Sequence, residues 1–130
     1  MLISEFSRKA SLSRETVRFY VRFGLLHPLT TQKGGRNPYQ LFREEDLRAA
    51  NLIRIGQAIG LSLKEIAELM EKRRKGKLPR ERRIDLMKDQ LAKLEVKARE
   101  LKSLQAYVRA KIAWQEKGEE GPEPMLDLVM

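Results

Sequence analysis

Three arginines repeat at four-residue intervals near the start of the chain, at Arg14, Arg18 and Arg22. On a helix this spacing places the three guanidinium groups along one face. The planar fork of arginine can bond a guanine edge or a phosphate through two N–H groups at once. The stripe therefore indicates a surface that binds nucleic acid, although an ordinary surface helix with solvated charges has the same pattern.

Residues suited to other chemistry are scarce. The chain has 130 residues, no cysteine and one histidine, His27. Without cysteine there are no disulfides, thiolate metal sites or thiol redox switches, and we predict neither a metal nor a cofactor. The sequence contains no phosphate-binding glycine loop and no nucleophile motif, and His27 stands beside Pro28 in a predicted loop. These features predict that the protein is not an enzyme.

The chain also lacks a run of about 18 apolar residues, which excludes a membrane span. The first residues do not contain the apolar core of a signal peptide. The sequence therefore predicts a cytoplasmic protein that has no membrane partner.

The net charge of +9 is unevenly distributed. Residues 1–43 carry a local charge of +6 and residues 72–83 one of +7, whereas residues 44–71 between them carry −3. Two basic blocks on either side of an acidic one suit a polyanion contacted at more than one place, and nucleic acid is the commonest such partner. The alternative is a solvated surface that keeps a small protein soluble.

Five segments have the apolar periodicity of helices, and glycine and proline separate them. The predicted helices span residues 3–10, 13–23, 44–58, 62–74 and 81–116. A turn of about four residues, from Ala10 to Ser13, joins the first two helices, and Ser13 is placed to cap the second. This pattern predicts a helix-turn-helix, in which the second helix enters the major groove of DNA.

The segment between the second and third helices alternates glycine and proline with short stretches that tolerate β structure. Its predicted hairpin tip runs from Lys33 to Arg36, and the returning strand begins at Tyr39. A two-stranded wing of this kind could lay these three side chains along a phosphate backbone and fix register without reading sequence. A flexible loop with incidental charge is the alternative.

The last predicted helix carries an apolar seam whose members alternate three and four residues apart, as in a coiled coil. Such a helix, about 50 Å long, cannot hide the seam within so small a domain, so a homodimer is expected. The alternative is a helix that folds back on its own domain. The predicted dimer interface consists of Ile84, Met87, Leu91, Leu94, Ala98, Leu101, Val108 and Ile112.

The string SLSRETVRFYVRFGLL resembles the N-terminal motif of the MerR family of transcriptional regulators, S-x-x-T-(I/L)-R-(Y/F)-Y-E-x-x-G-L. Similar strings follow in the family's order at NPYQLF, REEDL and LIRIGQAIGLSLKEIAELM, so the resemblance covers about the first 75 residues. It implies a mainly α fold, in which a winged helix-turn-helix DNA-binding domain precedes a long antiparallel coiled-coil dimerisation helix. The implied boundaries are 1–75 for the DNA-binding domain, 76–80 for a linker, 81–117 for the dimerisation helix and 118–130 for a tail.

The resemblance also implies which residues contact DNA. They belong to the second helix, to the wing, and to a second wing around residues 57–62, from which Arg54 reaches the DNA backbone. The implied set is Arg14, Thr16, Arg18, Phe19, Tyr20, Arg22, Lys33, Arg36, Tyr39, Gln40 and Arg54. The sequence departs from the family pattern at Ser11, Val21, Pro38 and Gln40. Because the family usually has arginine in place of Gln40, we expect a weaker contact from the wing to phosphate.

The function implied by the resemblance is that of a dimeric, sequence-specific regulator of transcription. It would bind a palindromic element in promoter DNA and distort it in response to an effector, with RNA polymerase as a further partner. The sequence does not identify a small-molecule effector: Tyr107, Trp114 and Met125 could line a pocket for one, or could simply pack the tail against the dimer. The alternative function is a basic coiled-coil protein that binds acidic protein or RNA without sequence specificity.

Overall fold

The computed structural model describes residues 1–31 and 39–126 of the chain. In this part of the chain the order of elements is α1 (Ile3–Ala10), α2 (Arg14–Phe23), β1 (Leu29–Thr31), β2 (Tyr39–Leu41), α3 (Glu44–Ala58), α4 (Leu63–Arg74) and α5 (Arg80–Glu116). The predicted mainly α architecture is confirmed, and each helix begins and ends within one residue of its predicted position. The predicted hairpin tip, with Lys33 and Arg36, lies outside the described residues.

The turn between α1 and α2 is defined by hydrogen bonds at both helix ends. Ser11 adopts a left-handed conformation, with φ 54° and ψ 44°. The N–H of Leu12 donates to the carbonyl of Ser7 at 3.0 Å and closes α1. The hydroxyl of Ser13 accepts a hydrogen bond of 3.1 Å from the N–H of Thr16, which confirms Ser13 as the cap of α2. The C-terminal end of α1 and the N-terminal end of α2 are therefore both capped, which defines the turn between them.

The two strands form an antiparallel ribbon between α2 and α3. Thr30 is paired with Gln40, and Thr31 with Tyr39. Just beyond β2, the ring of Phe42 stacks on that of Phe6 from α1, with 4.4 Å between the ring centroids. The N–H of Phe42 also donates to the carbonyl of Met1 at 2.7 Å. The base of the wing is therefore fixed to α1.

The N-terminal unit of the chain, Met1–Arg83, has its own hydrophobic core. Full burial of one large apolar side chain stabilises a fold by about 1.5–3 kcal/mol. Side chains from both helices of the turn, from the segment after α2, from the end of the wing and from α3 are fully buried there: Phe6, Val17, Leu25, Leu26, Phe42 and Ile53. The core thus joins every element that surrounds α2.

A buried carboxylate holds the start of α3 against the segment that follows α2. Asp46 accepts a hydrogen bond of 2.8 Å from the N–H of Arg43, and it lies 3.6 Å from the guanidinium of the same residue. That guanidinium donates in turn to the carbonyl of His27 at 2.9 Å. A buried charge is tolerated only when it is paired in this way.

The C-terminal unit, Ile84–Met130, comprises most of α5 and the tail. With 37 residues, α5 is about 55 Å long. Most of the predicted seam lies exposed along it, and the seam leucine Leu101 has 61% of its surface accessible. Among the described residues, no helix combines the length and the apolar character needed to cross a bilayer.

α3 and α4 pack closely at Gly56. A Cβ atom added to this glycine would lie 2.9 Å from both Cγ1 and Cδ1 of Ile66. Gly56→Ala should therefore lower the free energy of unfolding by about 1–3 kcal/mol through overpacking, although alanine is ordinarily the better helix former. Urea denaturation followed by circular dichroism measures this loss.

The matched control is Asn51→Ala, at an exposed position of the same helix, which should leave the stability unchanged or slightly raised. In the Gly56→Ala background, the further change Ile66→Val removes Cδ1. The double variant should then lose less stability than the two single changes added together. Wild-type stability in Gly56→Ala would show that the helices do not pack this closely.

Candidate nucleic-acid interface

The three arginines that were predicted to bind nucleic acid lie exposed on the outer face of α2: Arg14, Arg18 and Arg22. The inner face of the same helix carries Val17, which is fully buried, and Tyr20, which is 7% exposed. Within residues 1–31 and 39–126, none of the three arginines forms an ion pair, so their charges are available to a partner. The division of α2 into an apolar and a cationic face follows from the 3.6-residue helical repeat.

One of these arginines also lines a groove of about 550 Å³. The groove is formed by three separate elements: the start of α1, the middle of α2, and both strands of the wing. Its lining residues are Leu2, Ile3, Ser4, Arg18, Thr30, Tyr39 and Gln40. The structure therefore brings three of the predicted DNA-contacting residues, Arg18, Tyr39 and Gln40, to one place.

The polar groups of this groove suit an anion. The guanidinium of Arg18, the phenol of Tyr39 and the amide of Gln40 are all hydrogen-bond donors. The first turn of α1 also lines the groove, and its backbone N–H groups have no side-chain cap, because the N-cap residue is Leu2. Phosphate oxygens are bound by such mixtures of side-chain donors and helix N-terminal N–H groups.

Sequence reasoning did not find the contributions of Leu2, Ser4 and Thr30 to the groove. No local signal marks these residues, because the groove exists only where α1 and the wing meet α2. An exposed aromatic on α2 was missed as well. Phe23 is 41% exposed, and its ring lies 5.5 Å from that of Phe19, which is also exposed. The two phenylalanines are four residues apart and do not share the inner face of α2 with Val17. This spacing was the signal in the sequence from which their exposure could have been predicted.

Two other residues of the implied set have structural contacts of their own. The side chain of Thr16 is half-buried, and its Oγ1 accepts a hydrogen bond of 2.9 Å from the hydroxyl of Ser13. Tyr20 belongs to the hydrophobic core, because it shares the inner face of α2 with Val17. Its ring therefore packs in the core beneath α2 and does not lie on the outer face of the helix.

Arg54, which the resemblance assigned to the DNA backbone, contacts the protein itself. It lies on α3, and its Nη2 donates to the carbonyl oxygen of Ala10 at 2.5 Å. Ala10 is the last residue of α1. The bond therefore links α3 to the helix-turn-helix.

The second basic block, residues 72–83, lies at the end of α4 and the start of α5. Glu71 binds Arg74 at 2.7 Å and Lys75 at 3.3 Å. The hydrogen bond from Lys75, with the neighbouring positive charges, holds the pKa of Glu71 below its ordinary value. Among the described residues, only these two cations of the block form ion pairs, and they share the single carboxylate of Glu71.

The tail folds against the last turns of α5. The indole Nε1–H of Trp114 donates to the carbonyl of Gly121 at 3.2 Å. Lys111 lies over the Trp114 ring, 5.4 Å from its centroid, and forms an ion pair with Glu123. The hydrogen bond with Glu123 raises the pKa of Lys111. Tyr107 and Trp114 are half-buried, whereas Met125 is 84% exposed.

Comparisons with known proteins agree with this arrangement. The family model described as MerR HTH family regulatory protein matches residues 1–73, and the MerR DNA-binding model matches residues 47–111. The HTH-type transcriptional regulator slr0701 of Synechocystis is 37% identical over 71 residues, which are 54% of this chain and 49% of that protein. The HTH-type regulator YyaN of Bacillus subtilis is 27% identical over 122 residues, with 85% of this chain and 86% of that protein covered.

A solved structure extends the likeness to almost the whole chain. It is the crystal structure of HiNmlR, a MerR family regulator lacking the sensor domain, bound to promoter DNA. The TM-score is 0.73 at 25% sequence identity, and the match covers 96% of this chain and 98% of that one. In contrast, this chain spans about half the length of several of the curated relatives that it matches.

The contacts of the tail can be tested through Trp114, the only tryptophan in the chain. Glu123→Gln removes the negative partner of Lys111, so the tail should loosen. Fluorescence emission should then shift to longer wavelength, and acrylamide should quench it more strongly. Because the pKa of Lys111 is raised above its ordinary value of 10.5, the contact should persist below that pH and be lost as the pH rises through the raised value.

The matched control is Glu120→Gln, which removes the same charge from the same tail and should leave the emission of Trp114 unchanged. Equal emission spectra for Glu123→Gln and Glu120→Gln would show that the ion pair does not hold the tail.

Proposed function

Because the chain belongs to the MerR HTH family of regulatory proteins, we propose that it acts as a homodimer that binds a palindromic element in promoter DNA. Membership of the family makes the protein a DNA-binding regulator of transcription and not an enzyme.

The observation that carries the proposal is the junction of the arginine face of α2 with the groove beside it. In the proposed complex α2 enters the major groove, where Arg14 and Arg18 reach guanine edges or the adjacent phosphates. The donors that line the groove, among them Tyr39 and Gln40, then hold a phosphate of the flanking backbone. Contacts to phosphate fix the register of α2, and contacts to bases supply the sequence preference.

The exposed seam of α5 supports the dimer. An apolar stripe along a helix of this length is unfavourable in water unless a second helix covers it. A second copy supplies an identical stripe, and the resemblance implies an antiparallel pair. We accordingly propose a DNA-binding domain over 1–75, a linker over 76–80, a dimerisation helix over 81–117 and a tail over 118–130. The twofold symmetry of such a dimer calls for two half-sites about 34–36 Å apart, or a multiple of that distance.

The likeness to HiNmlR supports binding to promoter DNA, since that MerR family regulator was crystallised on it. We propose that the dimer distorts its DNA site, at a cost of a few kcal/mol that the additional contacts of wings and helices offset. RNA polymerase at the same promoter is then its partner, and the cytoplasm its place of action. Any effector would act by changing the degree of this distortion.

Replacing Arg18 tests the DNA contacts. A duplex for the test is obtained by selection from a random-sequence pool with the wild-type protein. Arg18→Gln should weaken binding to the selected duplex by about ten- to hundred-fold, because one two-point contact is lost. Its oligomeric state in analytical ultracentrifugation should not change. Wild-type protein that binds selected and scrambled duplexes equally would instead favour the coiled-coil protein without sequence specificity.

Replacing Leu101 tests the dimer. Leu101→Glu brings two carboxylates into the apolar seam, so sedimentation should show a monomer that binds the palindrome no more tightly than a single half-site. The matched control is Lys97→Glu, which introduces the same side chain on the same helix but outside the seam, and it should remain dimeric. A dimeric Leu101→Glu variant would exclude this seam as the interface.

A further inference from the structure

The turn that connects α1 to α2 has a backbone conformation that its residue disfavours. Ser11 lies in the left-handed region, where the Cβ atom of an L residue crowds the following carbonyl oxygen. Glycine occupies such positions without that penalty. A serine in this turn therefore needs support from the surrounding structure if the turn is to keep one geometry.

Arg54 supplies a hydrogen bond at this point. The carbonyl of Ala10 is one of those at the end of α1 that have no partner within the helix. The N–H groups of Ser11 and Leu12 are directed to the carbonyls of Arg8 and Ser7 instead. Nη2 of Arg54 donates to the Ala10 carbonyl at 2.5 Å, across 44 residues of sequence. A charged donor makes this a bond of the stronger class.

The helix that carries Arg54 is firmly held. Its neighbour Ile53 is fully buried in the core of the N-terminal unit. Two residues further along, Gly56 packs closely on Ile66, and an added Cβ atom would lie only 2.9 Å from two of its side-chain atoms. The guanidinium therefore extends from a rigid base, and its hydrogen bond transmits the position of α3 to the end of α1.

We propose that Arg54 is a positioning residue for α2. By fixing the Ala10 carbonyl it holds the turn in the single geometry from which α2 presents Arg14 and Arg18 to base edges. This role rests on the proposed function, and it differs from the phosphate contact that the sequence resemblance implied. Arg54 then contributes to discrimination between DNA sequences without touching DNA.

The two roles predict different dependences on sequence and on salt. Hydrogen bonds to bases need close distances and near-linear angles, so a small displacement of α2 weakens them. Attraction between charges tolerates such a displacement. A positioning residue therefore affects the preference for the correct sequence, whereas a phosphate ligand affects all sequences alike and changes the number of counterions released.

The experiment uses Arg54→Met in the full chain, which removes the donor and the charge but keeps an unbranched stem. Affinities for the selected duplex and for a scrambled one are measured between 50 and 200 mM salt, well below the melting temperature of the variant. Binding to the selected duplex should fall by about ten- to hundred-fold. Binding to the scrambled duplex, and the slope of log K against log salt, should match the wild type.

The matched control is Arg48→Met, which removes the same charge from an exposed position of the same helix and should retain the wild-type preference. Hydrogen exchange gives a readout independent of DNA: the Leu12 amide should exchange faster in Arg54→Met than in Arg48→Met. An equal loss of affinity for both duplexes, with a salt slope smaller by about 0.9, would identify Arg54 as a phosphate ligand and overturn the proposal.

Failure of the proposed function has a different signature. If the wild-type protein itself does not discriminate between the two duplexes, sequence-specific binding is rejected, whereas the exchange of the Leu12 amide still tests the support given by Arg54. Unchanged exchange in Arg54→Met would reject that support, whatever the DNA measurements show.

Discussion

The structure depends on the way in which α2 divides its surface. Val17 and Tyr20 must face the core. The core is small, so the N-terminal unit would lose much of its stabilisation if either side chain were exposed. With those two residues inside, the helical repeat leaves Arg14, Arg18 and Arg22 no position except the outer face. Burial on one side of a ten-residue helix thus determines where its positive charge is displayed.

A helix that presents charge usefully must also be held in place, and the N-terminal unit does this from three directions. The stacking of Phe6 on Phe42 joins α1 to the base of the wing. The buried Asp46 joins the segment after α2 to the start of α3. Arg54 joins α3 to the end of α1. Few of these contacts are close in sequence, so the placement of α2 depends on the whole unit.

In α5, by contrast, most of the apolar side chains of the seam are exposed and not buried. Its apolar residues recur three and four positions apart to form the seam, and most of the seam remains exposed in the single chain. The N-terminal unit is stabilised by its own core, whereas most of the seam of α5 would be buried only in the proposed dimer. The hydrophobic effect therefore stabilises the first unit internally, whereas on the second unit it favours association through the exposed seam.

The sequence by itself determined the elements, because helical periodicity, the Ser13 cap and the glycine and proline breaks act over a few residues. It also placed the arginine stripe on the outside of α2, for the same local reason. Only the tertiary structure decided that Ser4 and Thr30 share a groove with Arg18 and that Arg54 bonds the carbonyl of Ala10. Each of these depends on contacts between segments far apart in the chain, and no local pattern of residue types records such a distance.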